Sequence, residues 1–198
     1  MMLGRPREFD IDIALDQAME LFWTQGYEST SLHNLLAATG LSKSSLYKVF
    51  GSKQKLFEMS IDYYSEKLHA SMKKGLEAKN SGWAFINDIL LYIAHEGDRT
   101  PEPRGCLLIN SINEWRVRDL EIKKLVIDRF STFEDLFEQA IIRAQSEGDI
   151  PQDNSSQELA AFLVCNIAGL RSSVKSGASK EKLDAIVRFI LSSLKTLK

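Results

Sequence analysis

Apolar residues recur every three or four positions along nearly the whole chain, and alternating β-branched runs are absent. The pattern therefore predicts an all-α protein of about nine helices. The first, from about Asp12 to Gln25, puts Ala14, Ala18, Leu21 and Phe22 on one face, with Gly26 at a left-handed C-cap. Thr30 is read as the N-cap of a short second helix in which Leu32, Leu35 and Leu36 face inward, and Gly40 ends it. Ser42 caps a third short helix carrying Leu46 and Phe50, and Gly51-Ser52 closes that helix and caps a fourth running to about Ala78.

Asn80-Ser81-Gly82 then breaks the pattern. A fifth helix carries Trp83, Ile86, Ile89, Leu90 and Ile93 to about Gly97, and the prolines between Asp98 and Pro103 require a loop. A sixth starts near Arg104, and a long seventh runs from about Leu120 to Ser146, ended by Gly148 and Pro151. Ser155 with Glu158 makes a capping box before an eighth helix with Leu159, Phe162, Leu163, Ile167, Leu170 and Val174. Ser179 caps a ninth, whose apolar stripe includes Ile186, Ile190 and Leu194 and reaches Leu197. Part of the apolar surface of these last two helices packs on the rest of their domain. The remainder is expected to meet the same pair in a second subunit, with Phe162, Ile167, Leu170, Val174, Ile186, Ile190 and Leu194 as the interface of a homodimer.

Composition narrows the class without deciding it. The 198 residues are 44% hydrophobic and 26% charged, with no Pro/Gly/Ser-rich block, so the chain is expected to fold end to end. No apolar stretch is long enough to cross a bilayer and the first ten residues lack a secretory apolar region, so a soluble, cytoplasmic protein is expected. Cys106 and Cys165 are far apart and lie in helical patterns, which suggests neither a disulfide framework nor a metal knuckle. The three histidines, His33, His69 and His95, fall on different helices, and no catalytic triad, metal or phosphate-loop pattern is present. Neither an enzyme nor a cofactor is expected.

The net charge of −2 does not suggest a nucleic-acid binder, but its distribution does. From Gly40 to Lys55 there are four cations, Lys43, Lys48, Lys53 and Lys55, and no carboxylate, and Arg5 and Arg7 precede the first helix. In this stretch two short helices meet at Gly40, where a Cβ would be strained in the turn that swings one helix across the other. Leu32, Leu36, Leu41, Leu46 and Phe50 lock the pair, and Lys43, Ser44, Tyr47 and Lys48 face outward, a set able to meet base edges and phosphates in a major groove.

The segment from Thr30 to Phe57, TSLHNLLAATGLSKSSLYKVFGSKQKLF, resembles the DNA-binding segment of TetR-type repressors. The resemblance covers about the first third of the chain and extends to the helix layout of the rest. It implies a helix-turn-helix domain over residues 1–55 and an effector-binding and dimerisation domain over 56–198. It further implies a repressor that leaves double-stranded operator DNA when an effector binds. By position, Thr30, Tyr47 and Lys53 correspond to phosphate contacts, and Ser42, Lys43 and Ser44 to the base-reading start of the recognition helix. Two departures stand out: Leu35-Leu36 replaces the usual Ile-Ala, and Val49 replaces a frequent DNA contact, a role Lys48 is placed to share as a phosphate contact.

Beyond the fourth helix the same resemblance implies an effector pocket, and Trp83, Tyr92, Asn110, Trp115, Phe133, Phe137, Phe162 and Asn166 are its interior candidates. The aromatics serve equally well as plain core, and the asparagines can be satisfied by backbone. Arg104-Gly105-Cys106-Leu107-Leu108 places a thiol at a helix start, where the dipole favours thiolate. With the L-R-x-x-x-K-x-G stretch from Leu170 to Gly177, it resembles a branch of the family with members that respond to electrophiles or oxidants. Cys106 is thus either a thiol sensor or a small buried hydrophobe, and Lys175 either its partner or a charge at a helix end.

Overall fold

The computed structural model describes residues 10–114 and 120–196; the expected sites Arg5, Arg7, Trp115 and Leu197 lie outside them. All regular structure among the described residues is helical, in ten helices. They are α1 (Ile11–Gln25), α2 (Leu32–Thr39), α3 (Lys43–Phe50), α4 (Lys53–Ala78), α5 (Gly82–Ala94), α6 (Glu96–Arg99), α7 (Leu107–Glu114), α8 (Leu120–Ser146), α9 (Ser156–Lys175) and α10 (Lys180–Thr196). The one more than expected is α6. The periodicity of α5 was expected to carry it to about Gly97, but the helix stops at Ala94 and a single separate turn follows. Nor does the next helix begin near Arg104: Gly105 takes φ +73°, and α7 starts at Leu107.

The chain divides into two compact units, residues 1–64 and 65–198, the division falling inside α4. In the first unit, Asp10 caps α1 by accepting from the Asp12 and Ile13 amides, and Ala14, Ala18, Met19 and Phe22 form its buried face. Gly26 has the positive φ expected of it, +80°, but ψ 168° takes it out of the left-handed helical region. The core is aromatic. Phe22 meets Phe57 edge to face at 5.0 Å between ring centroids, Tyr27 leans on both, and Trp23 packs against Tyr64 at 4.9 Å.

In the second unit α5 packs against α8, α9 and α10, and α8 against α9. Contact at the start of α5 is close because Gly82 has no side chain: a Cβ there would lie 2.1 Å from the Ala140 carbonyl oxygen and 2.8 Å from the Ala144 nitrogen. The Gly82 amide donates to Glu147 Oε2 at 2.9 Å, and Glu147 is held in turn by Arg143 Nε at 2.9 Å, so the helix start is fixed by a charge-assisted pair. At the other end of α5, His95 Nε2 lies 2.9 Å from Asp184 Oδ1 of α10.

Candidate nucleic-acid interface and effector cavity

Ser31 caps α2, accepting from the Asn34 amide at 3.1 Å while its own amide donates to Asn34 Oδ1 at 3.1 Å. This reciprocal box displaces the expected cap, Thr30, by one residue. Thr30 is fully buried and donates its hydroxyl to the Gly26 carbonyl at 2.5 Å, so it holds the start of the motif and has no free hydroxyl for a phosphate. Gly40 adopts the left-handed conformation, φ +64° and ψ +10°, that turns the chain from α2 into α3. Leu35, Leu41, Leu46 and Phe50 are buried behind that turn, while Leu32 and Leu36 are only half-buried.

Ser42 caps α3 by accepting from the Ser45 amide at 3.1 Å, and its hydroxyl also lies 3.0 Å from that of Ser44. Ser42, Lys43, Ser44, Tyr47 and Lys48 are all exposed along the side of α3 that faces away from the core, and Tyr47 leaves 42% of its surface accessible. Lys53 at the start of α4 sets its ammonium 4.2 Å from the centre of the Tyr27 ring. The ring compensates part of the unfavourable meeting of a cation with a helix N-terminus. Tyr27 was not foreseen, although an aromatic directly after Gly26 and close to a basic helix start is the available signal.

In the second unit, α4, α5, α7, α8 and α9 surround a cavity of about 510 Å³ with a mainly apolar wall. That volume suits a small organic ligand. Four expected residues line it: Tyr92, Cys106, Phe133 and Phe137. Ile167, expected at the dimer interface, lines it as well. Four others do not. Trp83 instead lies under the Lys195 ammonium, 4.2 Å from the ring centre, and Asn166 donates its amide to the Phe162 carbonyl of its own helix at 2.8 Å. Phe162 is half-buried elsewhere on α9, and Asn110 faces a smaller pocket of about 240 Å³. The contribution of α4 through Leu68, Met72 and Gly75 was missed, although their spacing of four and three residues marks one helical face.

Cys106 sits where the two cavities meet. Its carbonyl accepts from the Asn110 amide at 2.9 Å, which makes it the residue that caps α7, and only 7% of its surface is accessible. Lys175 Nζ donates to Asn110 Oδ1 at 2.9 Å, and the Asn110 amide donates to the Arg104 carbonyl at 2.9 Å, so one side chain ties the last turn of α9 to the loop before α7. Cys165, by contrast, is exposed.

The expected interface residues Leu170, Val174, Ile190 and Leu194 are buried within the chain itself and have no surface left to offer a partner. Their stripes on α9 and α10 face the second unit's own core. Phe162 and Ile186 remain half-buried, and Phe189, not foreseen, is 75% exposed.

A short helix pair turned at a left-handed glycine, with hydroxyl, aromatic and cationic groups on its outer helix, is the build of a helix-turn-helix DNA-binding protein. The profile of bacterial regulatory proteins of the TetR family matches residues 14–59, and that of the tetracyclin repressor-like C-terminal domain matches residues 83–190. The chain is 36% identical to the HTH-type transcriptional repressor ComR of Escherichia coli, over 91% of this chain and 86% of that one. It is 33% identical to the HTH-type transcriptional regulator YezE of Bacillus subtilis, over 97% and 100%. Among solved structures, a cysteine mutant of the TetR family regulator CifR, complexed with 26 bp double-strand operator DNA, superposes with a TM-score of 0.82 at 29% identity, covering 96% of this chain and all of that one. The chain belongs to the TetR family and is a DNA-binding transcriptional regulator, not an enzyme.

Proposed function

We propose that this chain is a homodimeric repressor that binds a near-palindromic operator through α3 and leaves it when an effector occupies the cavity of its second unit. The observation that carries the DNA-binding half is the exposed row on α3. Ser42, Lys43 and Ser44 are assigned to base edges, and Tyr47, Lys48 and Lys53 to phosphates. A relative named a repressor and a neighbour bound to operator DNA support it. A regulator of this kind works on chromosomal DNA and so in the cytoplasm. Among the described residues no helix is long and apolar enough to cross a membrane.

The effector half rests on the apolar cavity. Its ligand is a small hydrophobic molecule, held non-covalently by Tyr92, Phe133 and Phe137, or an electrophile or oxidant reacting at Cys106. Dimerisation is assigned to the outer sides of α9 and α10, centred on Phe189 with Ile186 and Phe162. Fluorescence anisotropy on the DNA upstream of the gene and on random duplex of equal length, each at two salt concentrations, tests the proposal. A sequence-specific repressor prefers the upstream DNA by about a thousandfold or more. An architectural DNA-binding protein would bind both alike with a steep salt dependence, and a protein-interaction module would bind neither.

A further inference from the structure

The large cavity and the smaller pocket beside it share Cys106, Ile109 and Arg171 as a common wall, but their linings differ in kind. The first is mainly apolar. The second has the larger polar share: besides the shared residues it is lined by Gly105, Asn110, Lys175 and two serines near the end of α9, Ser172 and Ser176. The amino end of α7 also opens there, and its dipole adds partial positive charge.

The charges do not balance at this end. Arg171 shares its guanidinium with Glu96 at 3.5 Å. Lys175 hydrogen-bonds a neutral amide, Asn110, and pairs with no carboxylate among the described residues. Glu102 lines a separate groove that Lys175 also borders, without forming an ion pair with it. Of the two cations lining this pocket, Lys175 is therefore the one without a carboxylate partner, and it is exposed to solvent. Elsewhere in the wall of the large cavity, Lys79 is paired with Asp88 and the two charges cancel. Apolar body space with one uncompensated cation at one end fits a particular shape of ligand.

We propose that the effector is an amphipathic monocarboxylate. Its apolar part fills the large cavity, and its carboxylate lodges in the adjoining polar pocket against Lys175, with Arg171 and the amino end of α7 adding to the field. The proposal rests on the reading of the large cavity as the effector site. It narrows the ligand from any hydrophobic molecule to an acid with a hydrocarbon body of about ten carbons, given the cavity's volume of about 510 Å³. The carboxylate would form a charge-assisted pair with the exposed Lys175 ammonium, whereas a neutral analogue would make no such pair.

The test is calorimetric titration of the full-length protein with decanoate and with 1-decanol, both below their aggregation limits at pH 8. The wild-type protein is expected to bind decanoate about fivefold more tightly than decanol. Lys175→Met is expected to bring the two affinities together by weakening decanoate alone, and Lys175→Arg to keep the preference. Equal binding of decanoate and decanol by the wild type overturns the carboxylate assignment and leaves the cavity as an effector site. Binding of neither overturns both. A decanoate preference that survives Lys175→Met, or loss of decanol binding together with decanoate, also overturns it, the latter by making Lys175 a prop of the pocket wall.

Discussion

Side chains that resemble one another in sequence do different work on either side of a single helix start. Thr30 and Ser31 are both good caps, but only one hydroxyl can reach the Asn34 amide, and Ser31 does so while Thr30 turns inward to the Gly26 carbonyl. Thr30→Val keeps the shape and removes that hydrogen bond, so it is expected to cost about 1 kcal/mol in urea unfolding and leave the salt slope of DNA binding unchanged. Tyr47→Ala and Lys53→Ala are expected to weaken all sequences, the lysine change also reducing the salt slope by about one. Lys43→Ala or Ser44→Ala would instead relax discrimination between operators. Unchanged affinity in both sets, measured by anisotropy at two salt concentrations, would remove α3 from the interface. The cysteines follow burial. Brief alkylation of the native protein is expected to leave Cys106, which is 7% accessible, unlabelled, as mass spectrometry will show. Fast labelling of Cys106 with loss of operator binding would favour the electrophile as effector.

Two glycines set the geometry of their elements for opposite reasons. Gly40 has open space around it, so Gly40→Ala is opposed only by its left-handed backbone and is expected to cost about 1–2 kcal/mol. Gly82 has an ordinary backbone but no room, since its Cβ would run into the backbone of α8. Gly82→Ala is expected to cost about 3 kcal/mol or more because two helices must separate, and thermal unfolding of the two variants distinguishes the cases. The helix ends with strong signals were legible from sequence: α9 follows its cap Ser155, and α8 ends at Ser146 just before Gly148. The turn α6 was not, because four residues containing Gly97 carry no periodicity. Arg104 also fits the pattern of a helix, and only the positive φ of Gly105 delays α7 to Leu107.

At the scale of the molecule, the DNA-binding unit was the more legible, because its turn glycine and its buried and outward positions are dense in one stretch. The cavity and the dimer face were less so. An apolar stripe on α9 states that a face is covered but not by what, and Leu170 and Val174 are covered by their own chain while Ile167 lines the cavity. Sedimentation checks the revised interface: Phe189→Glu is expected to give folded monomers, whereas Leu170→Glu is expected to unfold the second unit rather than merely split a dimer. Binding to one specific DNA sequence through α3 is the central claim, and the titration of upstream against random duplex with purified wild-type protein and its Tyr47→Ala variant tests it most directly. The wild-type protein is expected to prefer the upstream duplex by about a thousandfold or more, and Tyr47→Ala to weaken binding to both duplexes. Equal affinity of the wild type for the two duplexes, or a variant that binds as the wild type does, would contradict it.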